Sequence, residues 1–382
     1  MIIPRAVLPY HCDVLVYDTL GSSWIHQIIP DSASWTVLDI RRKRPIFPTP
    51  GFLFYLTKHY FCHKGISSNR RYSSYISAVF DHIKPKIILT FADNNVVLGH
   101  YATYSPNTLV VSIQNAIRGT IDSIPPKTVL PIYYSLGQAE KEVFKAIGIT
   151  HLEYTPVGSV KLGLYLQQHY KPDNRWDLSY CSHYRPELLD KNASKLFKLI
   201  ESAHRDLFQL TCRYARSRKL SIAVLSKTRE PIHQNMEEQY FRDLADGTPF
   251  SLILADKSNN EFETYHGAFR SRLIINLCST LGYEALGAGA KVLFGSGYRQ
   301  DLLENWGAVQ YYDKLPNFIS LQSDSLTTFS DQADKLLSMD DARYKQQTQD
   351  ASRYYITMPH NDYPHEVIRK RLANHLAKAT AS

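Results

Sequence analysis

Short apolar runs alternate with segments of helical spacing along most of this chain. The run that begins at Leu273 is followed by Ser279 and Thr280, then by helically spaced apolar residues, and a second apolar run spans Lys291–Phe294. This order predicts a strand, a turn, a helix and another strand, which is the unit that joins parallel strands. Similar units are predicted from residue 12 onward in the first half and from residue 176 onward in the second half.

Polar residues follow the predicted strands in both halves. Because the carboxyl ends of parallel strands meet at one edge of a sheet, these residues are expected to lie where ligands bind in such folds. The polar stretch 171–175 is predicted to link the halves. The sequence therefore predicts an α/β protein with two Rossmann-like domains facing a cleft, one over residues 1–171 and the other, including a terminal helix, over residues 172–382.

In the second half, the predicted strand ends carry cations and hydroxyls. Guanidinium groups and a helix N-terminus can hold phosphate oxygens without a metal, so a nucleotide phosphate is the expected ligand and no metal or cofactor is required. Glu284 lies one helical turn beyond the hydroxyls of Ser279 and Thr280, where it could accept hydrogen bonds from a ribose. The alternative is that Ser279 caps the helix and Glu284 is a solvated helix residue. The residues predicted to bind this nucleotide, called the donor-binding residues below, are Ser182, Arg185, Lys227, Arg229, Lys257, Ser279, Thr280 and Glu284.

If the bound nucleotide carries a sugar, transfer of that sugar from its anomeric carbon needs a carboxylate or an imidazole as base or nucleophile. Four such side chains fall at or just after predicted strand ends, namely Asp18, Asp93, His183 and Glu187. For Asp93 a turn or capping role is an equal alternative, and a lone histidine such as His183 is more often a hydrogen-bonded structural residue.

Composition narrows the partner classes. Hydrophobic residues make up 44% and charged residues 21%, as in ordinary folded proteins, and the net charge of +8 with a pI near 9.0 favours an anionic partner. The five cysteines are scattered without metal-ligand spacing, and no apolar run approaches the length of a membrane span. We therefore expect a cytoplasmic protein with reduced thiols, whose charge is also compatible with peripheral contact at the inner face of an anionic membrane.

Four motifs carry a resemblance to a known family. They are Gln114-Asn-Ala-Ile-Arg118-Gly119, Pro156-Val-Gly-Ser159, Ser182-His-Tyr-Arg185 and Ser279-Thr-Leu-Gly-Tyr-Glu284-Ala-Leu-Gly287. In this order they resemble the motifs of bacterial surface-carbohydrate biosynthesis proteins with the GT-B glycosyltransferase fold, and more distantly those of capsule and O-antigen β-Kdo transferases. The resemblance implies a metal-independent glycosyltransferase of capsule or lipopolysaccharide assembly that uses a nucleotide-sugar, such as CMP-Kdo or a related CMP-sugar, and a glycan or glycolipid acceptor.

The chain departs from the Kdo transferases at one motif. Those enzymes carry an acidic pair in a Glu-Asp-Gly-Phe segment, where this chain has Gln114 and Asn115 and retains Arg118. An amide cannot serve as general acid or nucleophile, so Asp93 or Glu187 is predicted to act instead. Gln114, Asn115 and Arg118 are then predicted to line the acceptor side of the cleft.

Other functions fit part of the pattern. A CDP-polyol phosphotransferase or a nucleotide-sugar epimerase would share the two-domain architecture. A non-catalytic nucleic-acid-binding protein would fit the charge and the 26 tyrosines, but the basic residues are dispersed and form no recognisable nucleic-acid module, so no nucleic acid is expected as a partner.

Overall fold

Two parallel β-sheets organise the computed structural model of the chain. The structure describes residues 11–21, 23–39, 49–62, 70–118, 128–168, 173–190, 192–228, 230–254, 262–306, 313–358 and 362–381. The predicted α/β class with two Rossmann-like domains is confirmed. The predicted domain boundary at residues 171 and 172 lies outside the described residues and stays a prediction.

The first sheet has six strands in the order β2-β1-β3-β4-β5-β6, all parallel. Its inner strands are short apolar runs that are buried on both faces, as expected of a parallel sheet covered by helices. The strands are β1 (Val14–Tyr17), β2 (Trp35–Leu38), β3 (Ile87–Thr90), β4 (Leu109–Ile113), β5 (Val129–Ser135) and β6 (Thr150–Pro156).

Helices connect these strands and cover the sheet. They are α1 (Pro50–Cys62), α2 (Arg70–Ile83), α3 (Val96–Tyr104), α4 (Ala139–Ala146) and α5 (Val160–Gln168), with a short 3-10 helix at Ile25–Gln27. Strand β6 and helix α3 are not apparent in the hydrophobic pattern. The spacing of residues 24–29 predicts a helix, but the structure has only the 3-10 turn there, ahead of Pro30 and β2.

The second sheet has five parallel strands in the order β11-β10-β7-β8-β9. Numbered within the domain this order is 3-2-1-4-5, which matches five strands of a dinucleotide-binding fold, with the first strand of the domain at the centre. The strands are β7 (Trp176–Cys181), β8 (Ile222–Leu225), β9 (Ser251–Ile253), β10 (Ser271–Asn276) and β11 (Val292–Phe294).

The helices of the second half are longer on average. They are α6 (Lys195–Arg218), α7 (Pro231–Leu244), α8 (Glu263–Phe269), α9 (Thr280–Gly287), α10 (Gln300–Trp306), α11 (Leu326–Ser338), α12 (Asp341–Tyr355) and α13 (Pro364–Ala381). Two further 3-10 turns span Pro186–Leu189 and Asn317–Ile319. None of the helices in the described part of the chain is both long and apolar enough to cross a membrane.

Helix α13 belongs to the second half of the sequence but packs on the first domain. Ile368 and Leu372 are buried in the same cluster as Val14 and Leu89 of the first sheet. Arg371 forms an ion pair with Glu153 of β6. The end of the chain therefore ties the two domains together.

Hydrophobic packing also crosses between the domains. The largest apolar cluster joins Val143 and Leu162 of the first domain to the core around β7 and β10. Within it, the rings of Tyr165 and Phe269 stack with centroids 5.1 Å apart. Burial of this contact favours a fixed arrangement of the two domains over a freely hinged one.

Candidate functional site

The carboxyl ends of β10, β7 and β8 lie side by side in the second sheet, because these strands are neighbours. Residues 182–185 follow β7, residues 226–228 follow β8, and residues 278–280 follow β10. Most of the predicted donor-binding residues therefore share one edge of the sheet. Arg229 and Lys257 lie outside the described residues, and their predicted roles are not tested.

The fully buried carboxylate of Glu237, on α7, organises two of these strand ends. Its oxygens accept hydrogen bonds from the hydroxyls of Ser182, Ser226 and Thr228, the Ser226 bond measuring 2.6 Å. The backbone N–H groups of Lys227 and Thr228 also donate to it, each at 3.3 Å. The only O–H of Ser182 is thus donated to Glu237, and its predicted contact with a phosphate oxygen would require that hydrogen to be shared.

Sequence reasoning gave Glu237 no role. It lies inside a helix, eleven residues after Ser226 and 55 after Ser182, so spacing alone did not connect it to either strand end. The available signal was chemical: three hydroxyls at buried strand ends need an acceptor, and a carboxylate has enough lone pairs to serve all of them.

His183 is buried beside Cys278. The Nε2 atom of His183 accepts a hydrogen bond from the backbone N–H of Cys278 at 3.3 Å, and the backbone N–H of His183 donates to Nε2 of His204 at 3.0 Å. Burial, followed by the electrostatic influence of Lys227, His204 and Arg185, lowers the pKa of His183 well below its ordinary value. The imidazole is therefore neutral at physiological pH, and its lowered pKa makes it a weaker base than an ordinary histidine.

Cys278 does not act as a nucleophile in this setting. Burial raises the pKa of its thiol to about 12, although Lys227 and Arg185 oppose the shift. Its Sγ lies 3.6 Å from Nε2 of His183. The thiol is therefore protonated, and its role is to pack against the imidazole.

Two exposed cations, Arg185 and Lys227, stand at this edge. Within the parts of the chain that the structure describes, neither forms an ion pair with an acidic side chain. Loss of hydration, followed by the charge of Arg185, lowers the pKa of Lys227 to about 8. Because Lys227 is exposed and keeps part of its hydration, the repulsion from Arg185 is the more secure of the two causes.

Helix α9 begins at this edge as predicted from its sequence. The Oδ1 atom of Asn276 accepts a hydrogen bond from the backbone N–H of Ser279 at 2.9 Å. A Cβ atom on Gly282 would lie 2.2 Å from the Asn276 side chain, so a glycine is needed for this close approach. Ser279 and Thr280 are both partly exposed at the helix start.

The start of α9 faces the first domain. Thr280 Oγ1 accepts a hydrogen bond from the backbone N–H of Ile117 at 3.2 Å, within the loop that carries Gln114, Asn115 and Arg118. The structure therefore brings the predicted donor and acceptor loops into direct contact.

Glu284 lies inside this domain contact and is only 5% exposed. Its carboxylate accepts hydrogen bonds from the hydroxyl of Ser159, in the first domain, and from Tyr265 Oη at 2.7 Å. Burial raises the pKa of Glu284, and the two hydroxyl donors oppose that shift. Its predicted contact with a donor ribose stays a prediction, since a ribose would have to share this carboxylate with two protein hydroxyls.

In the first domain, Asp93 is fully buried at the end of β3. Its carboxylate pairs with the guanidinium of Arg118 and accepts a hydrogen bond from Tyr133 Oη at 2.8 Å. This pairing fixes the loop after β4 against the end of β3. It also means that Asp93 would act in catalysis only together with Arg118.

The remaining first-domain candidates differ in exposure. Gln114 is buried and holds the loop through its own amide, accepting from the backbone N–H of Leu136 at 2.8 Å and donating to the carbonyl of Ala116 at 3.0 Å. Asn115 is exposed. Asp18 is buried at the end of β1, where its carboxylate accepts from the backbone N–H of Thr19 at 2.6 Å and its φ is +77°.

Glu187 lies on the 3-10 turn after β7 and is exposed to solvent. It is the predicted catalytic carboxylate whose side chain is open to a ligand in the described structure. His183 shares its loop but is buried, so the structure places a neutral imidazole and a free carboxylate in one segment.

A narrow space between the domains is lined by residues of both. They are Gln114, Ile117, Leu136, Gly137, Ala139, Glu140, Tyr283, Tyr355 and Ile356. Its cavity volume of about 10 Å³ is far below the range of about 300–1,000 Å³ typical of ligand pockets. A ligand of nucleotide size would therefore have to lie at the outer rim of this space or part the domains.

No group of three or more His, Cys, Asp or Glu side chains is placed to hold a metal ion among the described residues.

No family model and no curated protein matches the sequence. The wall teichoic acid polymerase TagF, in a variant soaked with CDPG, has a similar structure, with a TM-score of 0.50 and 10% identity over 96% of this chain and 89% of that one.

Two other solved structures are similar at a slightly lower score. The UDP-GlcNAc 2-epimerase of Methanocaldococcus jannaschii has a TM-score of 0.49 with 12% identity, covering 94% of this chain and 99% of that one. A glycosyltransferase from Rickettsia africae ESF-5 has a TM-score of 0.48 with 9% identity, covering 98% of this chain and 100% of that one. The likeness to the TagF structure shows that the chain has the same kind of two-domain fold.

Proposed function

We propose that this protein is a glycosyltransferase of surface-polysaccharide biosynthesis that binds a nucleotide-sugar at the carboxyl edge of its second sheet. One observation supports the proposal above all others: Arg185 and Lys227 stand exposed and form no ion pair in the described structure, beside the start of α9 and opposite the loop of the first domain. Unpaired cations next to a helix N-terminus suit the phosphates of a nucleotide.

The chemistry follows from this arrangement. An acceptor hydroxyl attacks the anomeric carbon, and the bond between that carbon and the phosphate oxygen breaks. Arg185 and Lys227 stabilise the negative charge that develops on the leaving phosphate. Ser279 and Thr280 bind phosphate oxygens at the helix start, and Glu284 shares its carboxylate between the donor ribose and the hydroxyls of Ser159 and Tyr265.

A base must take the proton from the acceptor. Glu187 is proposed for this role because its carboxylate is exposed, with His183 as the neighbouring neutral base. Asp93 and Asp18 stay secondary candidates, because both are buried and hydrogen-bonded to protein. Gln114, Asn115 and Arg118 are proposed to present a glycan or glycolipid acceptor, and the donor is proposed to be CMP-Kdo or a related CMP-sugar.

A thermal-shift screen tests this function directly. CMP, CDP, UDP and GDP are compared with their sugar conjugates, because a ligand that binds the folded state raises the melting temperature. We expect one nucleotide and its sugar conjugate to raise the melting temperature. In a separate assay, that conjugate should then serve as the donor for sugar transfer to a polysaccharide fragment. Stabilisation by none of them would contradict the proposal.

The alternatives give different products from the same donors. A CDP-polyol phosphotransferase, which the likeness to the TagF fold keeps in view, would transfer polyol phosphate from a CDP-polyol. An epimerase would release an altered sugar nucleotide or free sugar without any acceptor. Mass spectrometry of the products therefore separates the three reactions.

A further inference from the structure

The phenol of Tyr184 lies in the loop after β7, among the proposed donor-binding residues, but takes no part in the proposed mechanism. Tyr184 is only 2% exposed, and its Oη atom is buried without a hydrogen-bond partner among the described residues. A buried hydroxyl that loses its contact with water and gains no partner destabilises the folded protein. Such groups are rare in native structures, and functional sites are where they are expected.

Buried phenols elsewhere in the second domain have partners. Tyr180 Oη donates a hydrogen bond to the carbonyl of His204 at 2.8 Å. Tyr344 Oη accepts one from the backbone N–H of Val292 at 3.1 Å. Both of these tyrosines are fully buried, so the unpaired hydroxyl of Tyr184 is not a general consequence of burial in this domain.

Contacts of its backbone and of its ring hold Tyr184 in place. Its backbone N–H donates to the hydroxyl oxygen of Ser182 at 3.1 Å, and Ser182 in turn donates to the buried carboxylate of Glu237. The ring of Tyr184 packs against that of Tyr240 on α7, with centroids 5.2 Å apart. The surrounding structure therefore keeps the hydroxyl in an unfavourable environment, as happens where that environment serves a function.

Two carboxylates lie near this hydroxyl. Burial raises the pKa of the Tyr184 phenol, and the charges of Glu237 and Glu187 raise it further, so the hydroxyl keeps its proton at physiological pH. Glu237 is buried, whereas Glu187 is exposed three residues farther along the chain. The carboxylates disfavour an anionic phosphate beside the phenol, but a sugar hydroxyl can hydrogen-bond both to the phenol and to the exposed carboxylate.

We propose that Tyr184 is a specificity-determining residue that hydrogen-bonds a hydroxyl of the donor's sugar. In the proposed function, on which this inference rests, Arg185 and Lys227 bind the phosphate and Glu187 takes the proton of the acceptor beside the anomeric carbon. The sugar then lies between the two cations and Glu187, next to Tyr184. It reaches the phenol when the 3-10 turn after Tyr184 shifts, and Glu187 and Leu189 of this turn are exposed.

Isothermal titration calorimetry of Tyr184→Phe tests the proposal. The ligands are the sugar conjugate that raises the melting temperature most in the thermal-shift screen and its parent nucleotide. We expect the variant to bind the conjugate about ten-fold more weakly than the wild type does, because the sugar hydroxyl loses its partner. The affinity for the parent nucleotide should stay unchanged.

The melting temperature of the ligand-free variant gives a second readout. Tyr184→Phe removes an unpaired buried hydroxyl without removing the ring, so the melting temperature should rise by about 1–3 °C. A hydroxyl that only stabilised the fold would give the opposite sign. The proposal therefore predicts a more stable protein that binds the conjugate less tightly.

Two controls bracket this result. Tyr344→Phe removes the acceptor of the Val292 N–H, so it should lower the melting temperature and leave the affinity for both ligands unchanged. Arg185→Gln should weaken the binding of the conjugate and of the parent nucleotide alike, because both carry the phosphate.

Three outcomes would overturn the proposal. Unchanged affinity of Tyr184→Phe for the conjugate would show that the phenol does not contact the sugar. An equal loss for the conjugate and the parent nucleotide would place the phenol against the nucleotide instead. A fall in the melting temperature of the ligand-free variant would show that the hydroxyl already has a partner in the protein. Each of these requires a wild type that binds the ligands, whereas a wild type that binds none of them contradicts the proposed function itself.

Discussion

The hydroxyl of Ser159, at the start of α5 in the first domain, donates a hydrogen bond to the buried carboxylate of Glu284 in the second domain. The same Ser159 oxygen accepts a hydrogen bond from the backbone N–H of Leu162 at 3.1 Å. The side chain that the sequence predicts for ribose binding is therefore also part of the domain contact. Donor binding and the arrangement of the domains are expected to be coupled through it.

Ser159→Ala should destabilise the protein. Removal of the hydroxyl leaves one oxygen of a buried carboxylate without its donor, which costs about 1–3 kcal/mol. Urea unfolding followed by circular dichroism measures the loss. Ser338→Ala, at an exposed serine whose hydroxyl contacts only the carbonyl of Lys335, should change the free energy of unfolding by less than about 0.5 kcal/mol. Equal effects from the two variants would show that the interdomain bond contributes nothing.

Stability should fall in mild acid because of His204. Burial, followed by Lys227, lowers the pKa of its imidazole to about 3 from an ordinary value of 6.5. The unfolded chain then binds a proton near pH 6.5 while the folded chain binds it only near pH 3, so stability is complete above 6.5 and is lost as pH falls toward 3.

A variant isolates this contribution. His204→Gln keeps an acceptor for the backbone N–H of His183 but does not titrate. The difference in unfolding free energy between the wild type and this variant should shrink as pH falls below 6.5. A difference that stays constant from neutral pH to pH 4 would contradict the assignment of a buried, neutral His204.

Glu237→Ala should loosen the predicted phosphate-binding edge. The substitution removes the acceptor shared by Ser182, Ser226 and Thr228, and we expect a loss of at least about 2 kcal/mol in the free energy of unfolding. Urea unfolding measures it, with Glu304→Ala on the exposed side of α10 as the control. A loss no greater than that of the control would show that Glu237 does not stabilise these strand ends.

Gly282→Ala should destabilise the protein more than Gly51→Ala, which changes a glycine in another helix. The added methyl group at residue 282 would lie 2.2 Å from the Asn276 side chain, whereas at residue 51 no atom other than those of its chain neighbours and its own helix backbone lies within 4 Å. The first variant should lose about 1–3 kcal/mol, and the second should be neutral or gain up to about 1 kcal/mol from the helix propensity of alanine. Thermal unfolding of both proteins measures the contrast, and a neutral Gly282→Ala would show that α9 can move away from β10.

The predicted elements follow from local patterns, which is why much of the fold is visible in the sequence. The buried run that forms β10, the glycine at residue 282 and the hydroxyls before α9 are all local signals. Strand β6 was missed because polar residues interrupt it: its central positions include Glu153, which pairs with Arg371 of α13.

The less predictable features depend on distant contacts. Ser159 and Glu284 are 125 residues apart, and their pairing follows from domain packing that no local pattern encodes. The terminal helix was predicted as part of the second domain, and nothing in the sequence showed that its Ile368 and Leu372 would pack on the first domain. Candidate residues at strand ends could be named from the sequence, whereas their partners, such as Arg118 for Asp93, could not.

The measurement that bears most directly on the proposed donor site is isothermal titration calorimetry with the best-binding nucleotide from the thermal-shift screen. Arg185→Gln and Lys227→Gln should each weaken binding by roughly ten-fold or more, because a hydrogen bond to a charged phosphate contributes about 1.5–3 kcal/mol. Lys195→Gln, at an exposed lysine on α6, should leave the affinity unchanged. Unchanged nucleotide affinity in both Arg185→Gln and Lys227→Gln would contradict the account.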